Sequence, residues 1–370
     1  MIGPELHVIV PGALNQRTGG YVYDARMVEG LRRLGWQVVV HELDGTFSKA
    51  DARARASLGL TLGDLPDDAR VLVDGLALGG LPEAARDHRG RLRILALVHH
   101  PLADETGLSL EQRERFTELE REALTACLGV LVTSDFTARR MAAFGVPAAH
   151  VRAVVPGTDP ARPAQGPGSD MPPRLLCIAS VIPRKGQDVL VRALAQLREA
   201  AWSCVCAGSL TRAPAYASAV QDAVRTSGLD DRVSFSGECD PDTLDDLYDR
   251  SSLFVLPSHY EGYGMALTDA LARGLPIVST TGGAIPHTVP AEASVLVPPG
   301  NDTALAEALG PLLSVGSGRS INKGRARRAT LGAAARRHAA SLPDWDQAAQ
   351  AFADATLELA PNGPNGPNGV

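Results

Sequence analysis

Short runs of Val, Leu and Ile alternate with amphipathic stretches along the first 150 residues. The apolar runs lie at residues 6–10, 37–41, 71–73, 93–98 and 129–133, and helical patterns lie at 21–34, 111–127 and 138–144. Continuous apolar runs are typical of parallel strands that helices cover on both faces. The alternation predicts a doubly wound α/β sheet, in which a loop with Gly19 and Gly20 follows the first strand.

The same alternation begins again near residue 174. Strands are predicted at 174–179, 203–207, 233–236, 253–256, 276–279 and 294–297. Helices are predicted at 187–200, 213–227, 241–250 and 268–273, followed by an Arg-rich helical segment and a last helix at 345–359. This second series predicts a second parallel sheet.

A segment rich in Pro, Gly and Ser separates the two series. Residues 159–173 contain five prolines and no periodic apolar positions, which is typical of a linker. We therefore predict an N-terminal domain at 1–160, a linker at 161–173 and a C-terminal domain at 174–340. A helix at 341–360 is expected to return to the N-terminal domain. The Pro-Asn-Gly repeat at 361–370 is expected to be disordered.

Composition narrows the class of protein. The length of 370 residues suits two domains, and a formal net charge of −6 argues against nucleic acid as a partner. The five cysteines show no metal-ligand spacing and are expected to be buried free thiols. The first strand follows Met1 directly, and no apolar run approaches the about 18 residues of a membrane span. We therefore expect a soluble, cytoplasmic protein.

The segment at 253–278 carries the most informative chemistry. A strand ends at Pro257, a loop holds Glu261, and a helix opens near Met265. Glycines in that loop let the backbone approach a ligand, and the first amides of a helix suit a phosphate. Asp269 is expected about two turns into the helix, where it could accept hydrogen bonds from a ribose. A capped helix with surface acids would leave the same pattern.

This segment resembles the C-terminal motif of glycosyltransferase family four, the retaining GT-B enzymes among the group 1 glycosyltransferases. The matching residues are Pro257, Ser258, Glu261, Gly262, Tyr263, Gly264, Ala270, Ala272, Gly274, Pro276 and Ile277. The resemblance implies two facing Rossmann-like domains with the active site in the cleft between them. It places Glu261 beside the donor sugar and Asp269, an Asp where Glu is usual, on the ribose.

A second segment, residues 175–190, resembles the family's G-R-L-x-x-x-K-G element at Lys185 and Gly186. There an Arg and a Lys neutralise the diphosphate of the donor. Ser180 stands at the Arg position in this chain, and Arg184 is the candidate to supply the missing charge. A solvated basic turn before a helix is the alternative for Arg184 and Lys185.

Weaker matches extend the resemblance to the rest of the chain. Gly19 and Gly20 resemble the glycine-rich loop near the donor phosphates, and Arg17 beside them is either a phosphate contact or a surface charge. His99 matches the family's histidine at a strand end, with His100 as the alternative. Further matches lie at 154–159, at 235–237 and at 281–289, where His287 replaces Glu. The resemblance implies that the second of these, with Gly237 and the following Cys239, approaches the nucleobase.

The resemblance implies transfer of a sugar from a nucleotide-diphosphate donor with retention, by front-face substitution. Glu261, His99 and Lys185 are the predicted catalytic residues. The predicted donor-binding residues are Arg184, Lys185, Gly262, Tyr263, Gly264, Met265, Ala266, Asp269, Gly237, Cys239, Gly19 and Gly20. No cofactor and no metal are expected, since Asp240 and Asp242 read as a helix cap with an acidic first turn.

The acceptor and several rival functions stay open at this point. A small-molecule, glycan or lipid-linked acceptor fits, the last with peripheral membrane contact, and the oligomeric state is unassigned. A nucleotide-sugar epimerase shares the fold. A nicotinamide oxidoreductase would need G-x-G-x-x-G, which residues 11–20 lack. A degenerate binding protein would explain the departures at Ser180, Asp269 and His287.

Overall fold

The computed structural model describes residues 3–168, 171–313 and 319–361, with the side chains of 319–322 left out. The chain forms two compact units, one of Met1–Gly157 with Pro343–Val370 and one of Thr158–Leu342. The first unit ends three residues before the predicted limit at 160, and the second unit includes residues 161–173, which were predicted as a linker. Of the tail predicted to be disordered, residues 362–370 lie outside the described residues.

The first unit is built on a six-stranded parallel sheet. Its strands are β1 (Glu5–Pro11), β2 (Gln37–Leu43), β3 (Arg70–Asp74), β4 (Arg93–Val98), β5 (Gly129–Val132) and β6 (Val151–Ala153), in the order β2-β1-β3-β4-β5-β6. Every pairing is parallel. The predicted doubly wound α/β sheet is confirmed. The short strand β6 was not predicted, because three residues with a central Arg leave no apolar run.

Seven helices of the first unit lie in the described residues. They are α1 (Gly19–Arg33), α2 (Ala52–Asp64), α3 (Gly75–Leu78), α4 (Pro82–His88), α5 (Leu110–Thr125), α6 (Asp135–Arg140) and, from the end of the chain, α14 (Trp345–Leu359). Helix α1 begins at Gly19, so the prediction that Gly19 and Gly20 lie in a loop was wrong. Helix α2 was missed although Ala54, Leu58 and Leu62 form a buried stripe, because Gly59 and Gly63 interrupt the helical pattern.

The second unit repeats the architecture. Its strands are β7 (Arg174–Ile178), β8 (Ser203–Ala207), β9 (Val233–Gly237), β10 (Leu253–Leu256), β11 (Ile277–Thr280) and β12 (Ser294–Val297), in the order β12-β11-β10-β7-β8-β9. The helices are α7 (Gln187–Ala195), α8 (Pro214–Thr226), α9 (Pro241–Asp249), α10 (Met265–Ala272), α11 (Ile285–Thr288), α12 (Asp302–Leu313) and α13 (Arg319–Ala339). Asp240 caps α9 by accepting from the Thr243 amide, as predicted.

Each unit has its own apolar core. In the first, α14 packs on α1, where Gly30 leaves room for Ala349 and the Tyr23 ring lies 6.2 Å from that of Phe352. In the second, β10 is fully buried at the centre of the core, as are the three middle residues of β7. The five cysteines, all within the described ranges, are free thiols, and three of them are buried. Among the described helices, none is long and apolar enough to cross a membrane.

Candidate active site

Two neighbouring strands of the second unit bring basic and acidic side chains together. Strands β7 and β10 are paired in parallel, so the loops after them leave the same edge of the sheet. Lys185, in a short helical turn after β7, donates from Nζ to Oε1 of Glu261, in the loop after β10, over 2.6 Å. Arg184 Nη1 lies 3.7 Å from Glu261 Oε2 and donates to the Tyr260 carbonyl oxygen over 3.0 Å.

The Glu261 carboxylate is held on several sides. Ser258 Oγ donates to Oε1 over 2.6 Å, and Glu261 is only 5% exposed. Burial by itself would raise the pKa of Glu261, but the charges of Lys185 and Arg184 and the hydrogen bonds from Lys185 and Ser258 lower it overall. Burial also lowers the pKa of Lys185, despite the opposing charge of Glu261. The group is therefore an ionised carboxylate with two cations beside it, and it carries a net positive charge.

Glycines let the loops of this cluster pack closely. Gly186 has φ +67°, and a Cβ there would overlap the carbonyl oxygen of Pro257. Gly283 has φ +61°, and a Cβ there would overlap the Glu261 backbone. The Ala284 amide also donates to the Glu261 carbonyl oxygen over 2.8 Å. The segment at 281–289 thus supports the loop of Glu261, while the side chain of His287 is exposed.

Helix α10 follows the loop directly. Gly264 occupies its N-cap with φ +99°, and none of the described side chains caps it by a hydrogen bond. The predicted opening of the helix near Met265 is confirmed, and Asp269 is its fifth residue, somewhat less than the expected two turns from the start. Asp269 is half-buried, and together with burial, which is the larger effect, it raises the pKa of Tyr263 to about 12.

The predicted nucleobase element lies farther along the sheet. Gly237 ends β9, two strands from β7, and has φ +70°. Its carbonyl oxygen accepts from the Gly208 amide over 2.7 Å. Cys239 is half-buried, and its thiol lies 3.5 Å from Ser236 Oγ. The structure does not bring Gly237 or Cys239 into the group formed by Lys185, Arg184 and Glu261.

A second polar group lies in the first unit, after β4. His99 Nε2 lies 2.8 Å from Oδ1 of Asp24, on α1, and 3.8 Å from Oδ2 of Asp74, at the end of β3. The side chain of His99 is 19% exposed, while those of Asp24 and Asp74 are 1% and 8% exposed. The Tyr23 ring meets the imidazole edge-on at 5.3 Å between centroids. A Cβ at Gly20 would lie 3.2 Å from His99 Cδ2, so Gly20 makes room for the ring.

Electrostatics couple these three groups. Burial lowers the pKa of His99, but Asp24 and Asp74 outweigh it, so the pKa is raised. Burial, and then the charge of Asp24, raise the pKa of Asp74 to about 7. Within the described ranges, these are the one set of three His, Cys, Asp or Glu side chains whose ligand-type atoms lie within 4.8 Å of one another. The 2.8 Å between His99 Nε2 and Asp24 Oδ1 is a hydrogen-bond distance.

Comparisons with known proteins show which family the second unit resembles. Residues 172–314 match the family model described as glycosyl transferases group 1. The GDP-mannose-dependent alpha-(1-6)-phosphatidylinositol monomannoside mannosyltransferase of Mycobacterium tuberculosis is 29% identical over 72% of this chain and 69% of its own length. The D-inositol 3-phosphate glycosyltransferase of Xylanimonas cellulosilytica is 28% identical over 93% of this chain and 76% of its own. Over residues 172–314 the chain is therefore similar to the group 1 glycosyltransferases.

Solved structures confirm the predicted fold of the chain. A sucrose-phosphate synthase of Thermosynechococcus elongatus superposes with a TM-score of 0.79 at 20% identity, over 96% of this chain and 99% of its own. Anabaena HepE in complex with UDP-glucose has a TM-score of 0.73 at 16% identity, over 95% and 98% of the two chains. At this identity the likeness concerns the fold, and it confirms the GT-B class of two Rossmann-like domains.

The structure also brings together polar residues that the sequence did not reveal. Asp24 and Asp74 contact His99 from distant parts of the chain. Asp24 had one signal, a carboxylate at a position that belongs to the buried face of an amphipathic helix. His100 contacts Glu105, with 3.5 Å between Nε2 and Oε2, and not the two acids. A Cβ at Gly19 would meet open space, so this glycine has no packing role.

Proposed function

We propose that this chain is a retaining group 1 glycosyltransferase of family four, which moves a sugar from a nucleotide-diphosphate donor by front-face substitution. The observation that carries the proposal is the buried contact of Lys185 with Glu261, beside Arg184. Two cations against one carboxylate leave a positive charge, which suits a diphosphate. The N-terminus of α10, with Gly264, Met265 and Ala266, lies next to Glu261 in the chain and supplies amides for the same anion.

In this proposal the C–O bond between the anomeric carbon and the diphosphate breaks as the acceptor oxygen attacks from the same face. The leaving phosphate oxygen takes the acceptor proton. Lys185 stabilises the charge that grows on the leaving group, with Arg184 assisting. Glu261, fixed by Ser258, orients the donor sugar together with His99. Asp269 accepts hydrogen bonds from the ribose, and no metal is required.

The relatives suggest which donors to test first. The mycobacterial relative is named as GDP-mannose-dependent, and the structure of HepE contains UDP-glucose. Two relatives carry inositol phosphates in the names of their acceptors. We therefore propose GDP-mannose and UDP-glucose as donors, and a small-molecule, glycan or lipid-linked acceptor that bears a free hydroxyl. Peripheral membrane contact and a cytoplasmic location stay predictions.

The test is a panel of nucleotide sugars followed by proton NMR in the presence of EDTA. We expect slow hydrolysis of one donor without acceptor, and the sugar that is released first should have the anomeric configuration of the donor. Formation of a second nucleotide sugar would instead identify an epimerase. Tight binding without any turnover would identify a degenerate binding protein. Loss of turnover in EDTA that Mn²⁺ or Mg²⁺ restores would overturn the metal-independent mechanism.

A further inference from the structure

The polar contacts of His99 hold one ring nitrogen and leave the other open. Nε2 faces Asp24 at 2.8 Å and Asp74 at 3.8 Å. Nδ1 makes no hydrogen bond with a described residue. It is also not one of the buried polar atoms without a partner, and therefore it keeps access to the surface. Tyr23 and Gly20 confine the ring on its sides. The imidazole is therefore fixed in place with Nδ1 presented outward.

Asp24 is an unusual residue for its position. It lies on the buried face of α1 beside Tyr23 and near Met27, and it is 2% exposed. Its Oδ2 is buried and has no hydrogen-bond partner among the described residues. An apolar residue at this place in the helix would avoid the cost of burying a carboxylate. The one strong contact that this carboxylate makes is the one with His99.

We propose that Asp24 and Asp74 are positioning residues for His99, which hold its Nε2–H and so present Nδ1 to a hydroxyl of the donor sugar. This inference rests on the proposed function, in which His99 contacts that sugar. Because the acids accept the Nε2 proton, neutral His99 has a free lone pair on Nδ1 and accepts a hydrogen bond from the hydroxyl. Asp74 is itself held, since Oδ1 accepts from the Leu76 amide over 2.6 Å.

The first test reads the histidine without any substrate. Long-range ¹H–¹⁵N spectra of histidine-labelled protein distinguish the two tautomers, and His99→Gln assigns the signal. We expect neutral His99 to carry its proton on Nε2 in the wild type. Asp24→Leu, which removes the acceptor and keeps the branch at Cγ, should abolish that preference, and Asp24→Asn should weaken it. The control Glu29→Gln, an exposed acid on the same helix, should leave the His99 signal unchanged.

The second test links the geometry to the reaction. With GDP-mannose as donor probe, Asp24→Leu should lower the hydrolysis rate constant at least tenfold and change the Kd of GDP less than twofold. A merely structural role would lower the rate constant and weaken GDP binding together, or change neither quantity. If the wild type binds neither GDP nor UDP, the proposed function fails while the tautomer result stands. If the nucleotide binds and turnover is unchanged in both Asp24 variants, the inference is wrong.

Two further outcomes are decisive. An Nδ1–H tautomer in the wild type would overturn the proposal, as would micromolar Mn²⁺ or Zn²⁺ binding at His99 that Asp24→Leu abolishes, since the trio would then bind a metal. If the Asp24 variants do not fold, Asp74→Asn takes their place, because an Asn can keep the hydrogen bond to the Leu76 amide. We then expect a smaller shift in the same direction, and an unchanged His99 signal would refute the proposal.

Discussion

Replacing Lys185 by Met leaves the Glu261 carboxylate buried without its nearest cation. Lys185 and Glu261 are 2.6 Å apart, with side chains 18% and 7% exposed. Removing one partner of a buried pair costs about 3–5 kcal/mol. Glu261 keeps the hydrogen bond from Ser258 and the charge of Arg184 at 3.7 Å, so we expect about 2–3 kcal/mol. For a unit of this size, that loss corresponds to a fall of about 5–10 °C in melting temperature.

Differential scanning calorimetry of Lys185→Met, Glu261→Gln and the double variant measures this cost. The double variant should be more stable than the sum of the single losses predicts, by about 1–3 kcal/mol, because it removes both members of the closest pair and leaves only Arg184 without the carboxylate. Lys49→Met is the matched control, since Lys49 is exposed and the substitution is the same. Should Lys185→Met melt within about 1 °C of Lys49→Met, the buried ion pair would not exist in solution.

Three other predictions concern Arg184, Gly186 and Glu120. If Arg184 replaces the Arg missing at Ser180, Arg184→Ala should lower kcat, and adding Ser180→Arg should restore part of it; a silent Arg184→Ala would make Arg184 a surface charge. Gly186→Ala should destabilise the protein by about 1 kcal/mol or more, because φ is +67° and the Cβ would overlap the Pro257 carbonyl. The control Gly59→Ala, in open space on α2, should stabilise it. Equal melting temperatures of the two variants would contradict this prediction. Burial raises the pKa of Glu120 to about 7 from an ordinary 4.5, so near neutral pH the folded state binds a proton that the unfolded state has lost. The free energy of unfolding should therefore rise by about 1.4 kcal/mol as the pH falls from 8 to 6. Urea unfolding of Glu120→Gln should show a weaker pH dependence than the wild type, and an unchanged dependence would contradict the assignment.

The sequence predicted those features that depend on contiguous residues. Lys185 and Glu261 each follow an apolar strand, and parallel strands place such loops at one edge of the sheet, so their proximity could be expected before the structure was known. The positioning of α10 against its loop was less accurate, because Gly264 makes the N-cap in a left-handed conformation and the helix starts three residues before the apolar pattern indicated.

Other features depend on contacts between distant segments. Asp24 and Asp74 meet His99 only because β3 and β4 pair and α1 packs beside their ends. A carboxylate within a helix reads as solvent-facing until the helix's packing is known. Gly19 and Gly20 were assigned to a loop because glycine disfavours helices, but the first helical turn tolerates it and the His99 ring requires the space at Gly20.

The proposed mechanism requires that the Lys185 charge stabilises a nucleoside diphosphate as it leaves. The most direct measurement is isothermal calorimetry of GDP and GDP-mannose, and of UDP and UDP-glucose, against the wild type and Lys185→Ala in EDTA. The free diphosphate carries the charge that develops in the transition state, so Lys185→Ala should weaken its binding far more than that of the nucleotide sugar. We expect a ratio of at least tenfold for the pair that binds. Equal losses for both ligands, or no binding of any nucleoside diphosphate to the wild type at millimolar concentration, would contradict the claim.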